Sequence, residues 1–180
     1  VMQDTHGNIF ISDQANFRIR MIDPTGTIHT VCGTGIAGYS GDKGPAIAAQ
    51  VSSPKGQSAA PAGRLVLDAQ NRIYFADTGN HCIRVIDTDG SIRTVAGTGT
   101  AGYSGDGGAA TVAQFNTPSD VAVTADGTLY VADTMNNVVR KVTPDGIIST
   151  FAGNGQGGFS GDGGTATQAK MDRPYGLDVG

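Results

Sequence analysis

The chain has 180 residues, a formal net charge of −4 and a charged fraction of 16%. This length is enough for one domain with a core, and the mild acidic balance argues against a nucleic-acid partner, which would require a basic stripe. The 28 glycines indicate many tight turns rather than disorder, and no apolar run approaches the roughly 20 residues that span a bilayer.

One unit occurs three times along the chain. Two acids and an arginine recur in fixed order, and each is separated from its next copy first by 64 and then by 56 residues. The columns are Asp13, Asp77 and Asp133; Arg20, Arg84 and Arg140; and Asp42, Asp106 and Asp162. A period of this size indicates an array, a solenoid or a propeller. We place the repeats at about 1–53, 54–117 and 118–173. A loop insertion near 55–62 explains the longer first step, and 174–180 begins a further repeat.

Each unit contains four short apolar runs. In the third copy they are Val121–Thr124, Leu129–Asp133, Val138–Thr143 and Ile147–Ala152, and Asp-Gly turns join the first to the second and the third to the fourth. Short runs rich in β-branched and aromatic residues, joined by such turns, predict an antiparallel meander. The runs alternate only weakly between apolar and polar residues, which favours sheets covered on both faces. We therefore predict an all-β protein with about three four-stranded blades of a β-propeller.

The third copy, from Pro118 to Val142, reads Pro-x-x-Val-Ala-Val-x-x-Asp-Gly-x-Leu-Tyr-Val-Ala-Asp-Thr-x-Asn-Asn-x-Val-Arg-Lys-Val. This spelling resembles the NHL-repeat family. The Gly-Tyr-Ser-Gly-Asp-Gly-Gly loop at 102–108 resembles its long bacterial variety. The resemblance covers essentially the whole chain and implies a propeller, usually of six blades, on secreted, periplasmic or cell-surface proteins. The first strand of the unit occurs at Val1–Gln3 and again at Leu177–Val179. We expect either further blades of the same protein or a second copy to close the ring.

The recurring charges have a structural and a functional interpretation. A buried guanidinium must be paired, so we favour ion pairs between the arginine column and the two acid columns over a ring of anion-binding arginines. The acid at the end of the second run predicts an Asx-type turn, with calcium as the alternative. No copy has the closely spaced acids of an EF-hand loop, and no cofactor is predicted.

The glycine loop is not a nucleotide-binding P-loop, because no Gly-Lys-Ser/Thr follows it. We expect Asp106 to cap the Ala-rich segment that follows and Tyr103 to pack over the blade rim. A functional alternative places the loops and the turns between second and third strands on one face. There, aromatic rings and amides suited to peptide or glycan contacts would meet: Tyr39, Tyr103, Phe159, Asn16, Asn80 and Asn137.

No catalytic set stands out. Cys32 and Cys82 replace Ala96 and Val138 of other copies, which favours small buried residues over a disulfide, and the three histidines fall at three different repeat positions. We predict a non-enzymatic module that binds a protein, peptide or glycan outside the cytoplasm. The alternative is part of a propeller enzyme, of lyase or gluconolactonase-like type, whose metal ligands lie on other blades.

Overall fold

The computed structural model describes residues 1–52 and 65–179. These residues form three four-stranded antiparallel sheets, so the prediction of an all-β fold built from about three such blades is confirmed. Blade 1 contains β1 (Met2–Gln3), β2 (Ile9–Asp13), β3 (Arg18–Ile22) and β4 (Ile28–Cys32). Blade 2 contains β5 (Leu65–Leu67), β6 (Ile73–Asp77), β7 (Cys82–Ile86) and β8 (Ile92–Ala96). Blade 3 contains β9 (Asp120–Val123), β10 (Leu129–Asp133), β11 (Val138–Val142) and β12 (Ile148–Ala152). The predicted insertion near 55–62 lies outside the described residues.

Two turn types make each meander. Hairpins join the first strand to the second and the third to the fourth. In the hairpin after β9, Gly127 has a φ of +86°, which favours glycine, and the Asp126 carboxylate accepts the N–H of Thr128. The turn between second and third strands is a single 3₁₀ turn, followed by a left-handed residue: Phe17, His81 or Asn137. A β-bulge recurs at the same place in each third strand, just before the recurring arginine.

The blades stack face to face and bury two apolar clusters. One lies between blades 1 and 2 and includes Phe10, Ile73 and Phe75. The other lies between blades 2 and 3 and includes Tyr74, Val131 and Ile148. Strands β6 and β7 are buried at every position because blade 2 is covered on both faces. Weak alternation in the sequence therefore reflects two-sided burial, which strand β9 of blade 3 also shows.

The glycine loops after blades 1 and 2 each cross to the next blade and run along its outermost strand. The N–H of Lys43 donates to the Ile92 carbonyl at 2.7 Å, and the Gly44 carbonyl accepts the N–H of Ile92 at 3.0 Å. In the second loop, the N–H of Gly107 donates to the Ile148 carbonyl at 2.8 Å, and the Gly108 carbonyl accepts the N–H of Ile148 at 3.0 Å. Each of the three glycine loops then forms a 3₁₀ turn, at Ala46–Ala48, Ala110–Val112 and Ala166–Gln168. The loop therefore covers a sheet edge that would otherwise be open to pairing. Among the helical turns described, none is long and apolar enough to cross a membrane.

Candidate functional site

The recurring arginine of blade 2 joins that blade to the loop of blade 1. The Arg84 side chain is fully buried, and its Nη2 donates to the Asp42 carboxylate at 2.6 Å and to the Ser40 carbonyl at 2.9 Å. Its Nη1 donates to the Gln50 carbonyl at 3.0 Å and to the Asp77 carboxylate at 3.4 Å. The second oxygen of Asp42 accepts the backbone N–H of Thr94 at 3.1 Å. We call this set of contacts between a glycine loop and the next blade the clasp.

Blade 3 repeats the clasp with its own residues. Arg140, also fully buried, donates to Asp106 at 2.6 Å and to the Ser104 carbonyl at 3.0 Å, and it lies 3.5 Å from Asp133. The loop tyrosine covers the guanidinium in both copies. The Cζ of Arg84 lies 5.3 Å from the ring centroid of Tyr39, and the Cζ of Arg140 lies 4.9 Å from that of Tyr103. The Tyr39 hydroxyl forms a hydrogen bond with the Thr94 hydroxyl at 2.8 Å, and the Tyr103 hydroxyl does so with Thr150 at 2.6 Å. The arginine and acid columns therefore hold neighbouring blades together.

Asp106 corrects one expectation. The 3₁₀ turn that follows it has Ala109 at its N-cap and no side-chain cap, because the Asp106 carboxylate is directed instead at Arg140 and Thr150 of the next blade. Partial burial acts to raise the pKa of Asp106, but hydrogen bonds from Thr150 and the Arg140 charge hold it below its ordinary value. The local sequence predicted that Asp106 caps the following turn, but Asp106 instead forms a long-range ion pair with Arg140.

Blade 1 and the last loop each carry one half of a clasp. Arg20 lies 3.8 Å from Asp13 and its side chain is 28% exposed. At the other end, the aromatic ring of Phe159 is 86% exposed and Asp162 has no ion pair within the described part of the chain. The first arginine of its column, Arg20, and the last loop acid, Asp162, are therefore present but not joined to each other.

The acid at the end of the second strand accepts N–H groups on both oxygens. One oxygen of Asp77 accepts the N–H of Ser52 at 2.8 Å, and the other accepts from Asn80 at 2.9 Å and from Arg84. Asp133 accepts likewise from Asn116 and Asn136. The backbone donor comes from the incoming chain rather than from the local turn, unlike in a simple Asx turn. Burial raises the pKa of both carboxyl groups to about 6, against the lowering effect of these hydrogen bonds.

Calcium does not suit these carboxylates, because N–H donors already surround their oxygens. Among residues 1–52 and 65–179, no three or more His, Cys, Asp and Glu side chains lie where they could hold a metal ion. Cys32 and Cys82 are free and buried, and burial raises the pKa of both thiols, that of Cys32 to about 12.

The asparagine column was misassigned at its third member. Asn80 and Asn136, not Asn137, hold the equivalent position, and their amides donate to the carbonyls of Gly38 and Gly102 at 2.7 and 2.8 Å. Asn137 is the left-handed residue that ends the turn, with a φ of +56°, and its side chain accepts the N–H of Arg173 at 3.0 Å. His81 accepts the N–H of Thr117 in the same way. Adjacent asparagines in the sequence hid which of them faces the loop.

The predicted ligand face therefore has few free polar groups. The amides of Asn80 and Asn136 and the hydroxyls of Tyr39 and Tyr103 are engaged in the clasps, and the Asn16 amide donates to Asp13 at 2.8 Å. What these loops present is the outer part of the Tyr39 and Tyr103 rings, which are 44% and 52% exposed, and the ring of Phe159. Binding at this face stays a prediction.

Two clefts that the sequence did not indicate lie between the blades, at the end of the sheets that carries the hairpins. The cleft between blades 1 and 2 measures about 500 Å³, and the cleft between blades 2 and 3 about 400 Å³. They occupy equivalent positions in the repeat, but the first is lined mainly by apolar side chains, including Phe10, Ile47 and Ile73. The second is more polar and includes Arg72, Arg93 and Thr111. The sequence signal that could have indicated the clefts is a difference between the copies at equivalent positions, such as Ile47 and Thr111.

Part of the chain is similar to known NHL-repeat proteins. Residues 100–158 match the family model described as the Teneurin NHL domain. The chain is 36% identical over 104 residues to NHL repeat-containing protein 2 of Bos taurus, which covers 57% of this chain and 14% of that protein. The chain thus spans a small part of the length of this relative.

Solved structures agree on the fold. A structural genomics protein of unknown function from Bacteroides thetaiotaomicron superposes with a TM-score of 0.71 at 21% identity, over 96% of this chain and 39% of that one. An auxiliary nutrient binding protein from the same organism superposes with a TM-score of 0.65 at 16% identity, over 97% of this chain and 40% of that one. The sequence matches support an NHL-repeat β-propeller family, and the solved structures support the fold. Membership of the long bacterial variety stays a prediction.

Proposed function

We propose that this NHL-repeat chain is a non-enzymatic binding module that takes a protein or peptide ligand in the clefts between its blades. The observation that carries the proposal is that the two clefts share one framework and differ in their lining. The hydrogen-bonding groups of residues that recur in each copy, such as Arg84 and Arg140, are engaged in contacts between blades. Positions that vary between copies on an invariant scaffold are available to select a ligand.

The two linings suit different parts of one polypeptide. The cleft between blades 1 and 2 offers Phe10, Ile47 and Ile73 to an apolar side chain. In the cleft between blades 2 and 3, Arg72 is 31% exposed and paired with Asp68 at 2.6 Å, and its guanidinium lies 5.6 Å from the ring centroid of Tyr74. Arg93 is 43% exposed and paired with Asp87 at 2.9 Å, so both arginines keep N–H groups that a ligand can reach. These groups suit a carboxylate or a carbonyl. A protein surface or an extended peptide carries both chemistries, which favours this class over a glycan.

The hairpins at this end of the blades supply the loops of the site. Asp87 to Gly90 border the first cleft, and Ala125 to Gly127 border the second. Location outside the cytoplasm, which the family resemblance implies, is part of the proposal.

A peptide library displayed on phage tests this function. We expect selected peptides to lose about 10- to 100-fold in affinity against Ile47→Glu, because its side chain is 60% exposed in the apolar cleft and burying an isoleucine contributes about 1.5–3 kcal/mol. The matched control is Val112→Glu, which is 65% exposed on the next 3₁₀ turn and does not line either cleft.

Peptides that bind both variants as well as the wild type would contradict the cleft assignment. If only glycans bind, and binding falls instead on substitution of Tyr39 or Tyr103, the glycine-loop face is the site and the proposal is wrong.

A further inference from the structure

Two turns of the chain each hold the segment that follows the next glycine loop through one side chain. At the end of the turn in blade 2, His81 Nδ1 accepts the backbone N–H of Thr117, just ahead of β9, at 3.0 Å. At the end of the turn in blade 3, Asn137 Oδ1 accepts the N–H of Arg173 at 3.0 Å. His81 and Asn137 hold the same position, the left-handed residue that ends the 3₁₀ turn. We call each of these hydrogen bonds a latch.

The residues that donate to the latches have an unfavourable backbone conformation. Thr117 and Arg173 have φ values of +55° and +50°, and each precedes a proline, Pro118 or Pro174. A residue before proline favours extended backbone, and a β-branched residue such as threonine is rarely left-handed. Such a conformation persists only where neighbouring groups hold it. The latch supplies one of those groups, so its loss favours a shift of this segment.

The latch ties residue 117 to blade 2. The neighbouring Asn116 is held by blade 3 through both of its backbone groups. Its N–H donates to the Asp133 carboxylate at 2.7 Å, and its carbonyl accepts the N–H of Met135 at 3.1 Å. The N–H of Thr117 is directed instead at the ring of His81. The 116–117 segment therefore bridges two blades, and the latch forms the contact with blade 2.

One of the two latches responds to protonation, and the other does not. A histidine nitrogen accepts a hydrogen bond only in the neutral ring, since both nitrogens of the imidazolium are donors. The amide of Asn137 undergoes no such change. Burial, rather than a neighbouring charge, lowers the pKa of His81 below its ordinary value of 6.5. Blade 1 has Phe17 at this position, and its side chain offers no acceptor.

The elements around the latch carry few titratable or charged side chains. They are Asp77 on β6, Cys82 and Arg84 on β7, and Asp133 on β10. The 97–99 segment, which packs on the His81 carbonyl, carries none. Burial raises the pKa of the Cys82 thiol, so it stays protonated at neutral and acidic pH. Burial also raises the pKa of both carboxyl groups to about 6, so they titrate in the same range as the ring with the opposite effect on stability.

We propose that His81 is a pH-sensitive latch between blades 2 and 3, which holds the entry of β9 when the ring is neutral and releases it when the ring is protonated. On protonation, the N–H of Thr117 loses its acceptor and the 116–118 segment separates from the turn of blade 2. Because burial favours the neutral ring in the folded chain, the stabilisation is fully present above pH 6.5 and is lost as the pH falls through the pKa of folded His81. The latch operates whether or not the clefts bind the ligand proposed above.

Nuclear magnetic resonance of the chain between about pH 7.5 and about pH 5 tests the latch at the Thr117 amide, since a histidine ring titrates in this range. We expect the Thr117 amide signal to titrate with the same pKa as the His81 ring. Its hydrogen-exchange protection factor should fall about five- to tenfold as the pH is lowered, which is the loss expected for one hydrogen bond. The Arg173 amide, held by Asn137, should keep its protection and is the reference within the chain.

Two substitutions separate the ring from the buried acids, which remain in both variants. His81→Asn supplies the acceptor that blade 3 already uses, so the Thr117 amide should stay protected across the pH range. His81→Leu removes the acceptor, so at neutral pH it should lower the protection of Thr117 to the value of the wild type at low pH. The control is His29→Asn on blade 1, a histidine whose side chain is 47% exposed, which should leave the behaviour of Thr117 unchanged.

Four outcomes would overturn the proposal. The His81 ring titrates while the protection of Thr117 stays constant, or the ring stays neutral down to about pH 5. The pH dependence of Thr117 persists in His81→Asn, which would assign it to Asp133 instead. His81→Leu and wild type protect Thr117 equally at neutral pH. Wild type and His81→Asn decide the question even where His81→Leu is too unstable to measure.

Discussion

Arg84 and Arg20 occupy the same position of the same repeated strand, yet one is fully buried and the other is 28% exposed. The difference lies outside their own blades. A glycine loop from blade 1 reaches Arg84 and brings Asp42, two carbonyl groups and a tyrosine ring, whereas Arg20 has Asp13 at 3.8 Å. In a repeat protein, each unit's stability depends on its neighbours, so identical residues differ in energy with their place in the array.

The largest effect is expected from truncating the buried arginine. Arg84→Leu should lower the free energy of unfolding by about 3–5 kcal/mol, because it leaves Asp77 buried without its cation. Arg20→Leu should cost less than about 1 kcal/mol, since a single partly exposed pair contributes little. Urea denaturation measures both. Equal losses for the two variants would contradict the comparison.

The buried acid beside Arg84 gives the next effect, which depends on pH. Burial raises the pKa of Asp77 from 3.8 to about 6 in the folded chain. Between these values the folded chain keeps a proton that the unfolded chain has lost, so raising the pH through this window favours unfolding. The contribution of the protonated group is fully present below pH 3.8 and is lost as pH rises through 6.

Comparison with Asp77→Asn isolates this group. The difference in unfolding free energy between wild type and variant should decrease by up to about 3 kcal/mol from about pH 4 to about pH 7, as one proton is worth about 1.4 kcal/mol per pH unit. Denaturation series at several pH values measure it. A difference that stays constant or grows with pH would show that Asp77 ionises at or below its ordinary pKa.

The third effect concerns the glycine at the start of the clasp loop. Gly97 has a φ of +101°, and an added Cβ would lie 2.6 Å from the His81 carbonyl oxygen. Gly97→Ala should cost about 2–4 kcal/mol, from the left-handed backbone and the steric clash together. Gly127→Ala, with a φ of +86° but open space around it, should cost about 1 kcal/mol and serves as the control. Thermal unfolding compares the two, and similar losses would show that the close contact is relieved at little cost.

The smallest effect concerns the loop tyrosine. Tyr103→Phe removes the 2.6 Å hydrogen bond to Thr150 and should cost about 0.5–1.5 kcal/mol. The sequence supplies the matched position, because Phe159 lacks the hydroxyl and is 86% exposed. Phe159→Ala should therefore change stability by less than about 0.5 kcal/mol. A larger loss for Phe159→Ala than for Tyr103→Phe would mean that the last loop is already packed.

The sequence by itself determined the blades. Apolar runs, Asp-Gly turns and a repeat met three times specify local structure, because strand and turn preferences act over a few residues. It also paired the arginine and acid columns, because a charge that recurs in a packed unit needs a partner.

Only the tertiary structure decided which groups those partners reach. Asp106 crosses to Arg140 instead of capping its own turn, and Asn136 rather than Asn137 binds the preceding loop. It also placed the clefts, since their walls come from two blades and no single unit contains them. These features depend on contacts between residues 34 or more positions apart, or on which blade is the neighbour. The sequence of a single repeat does not specify those contacts, because their partners belong to another repeat.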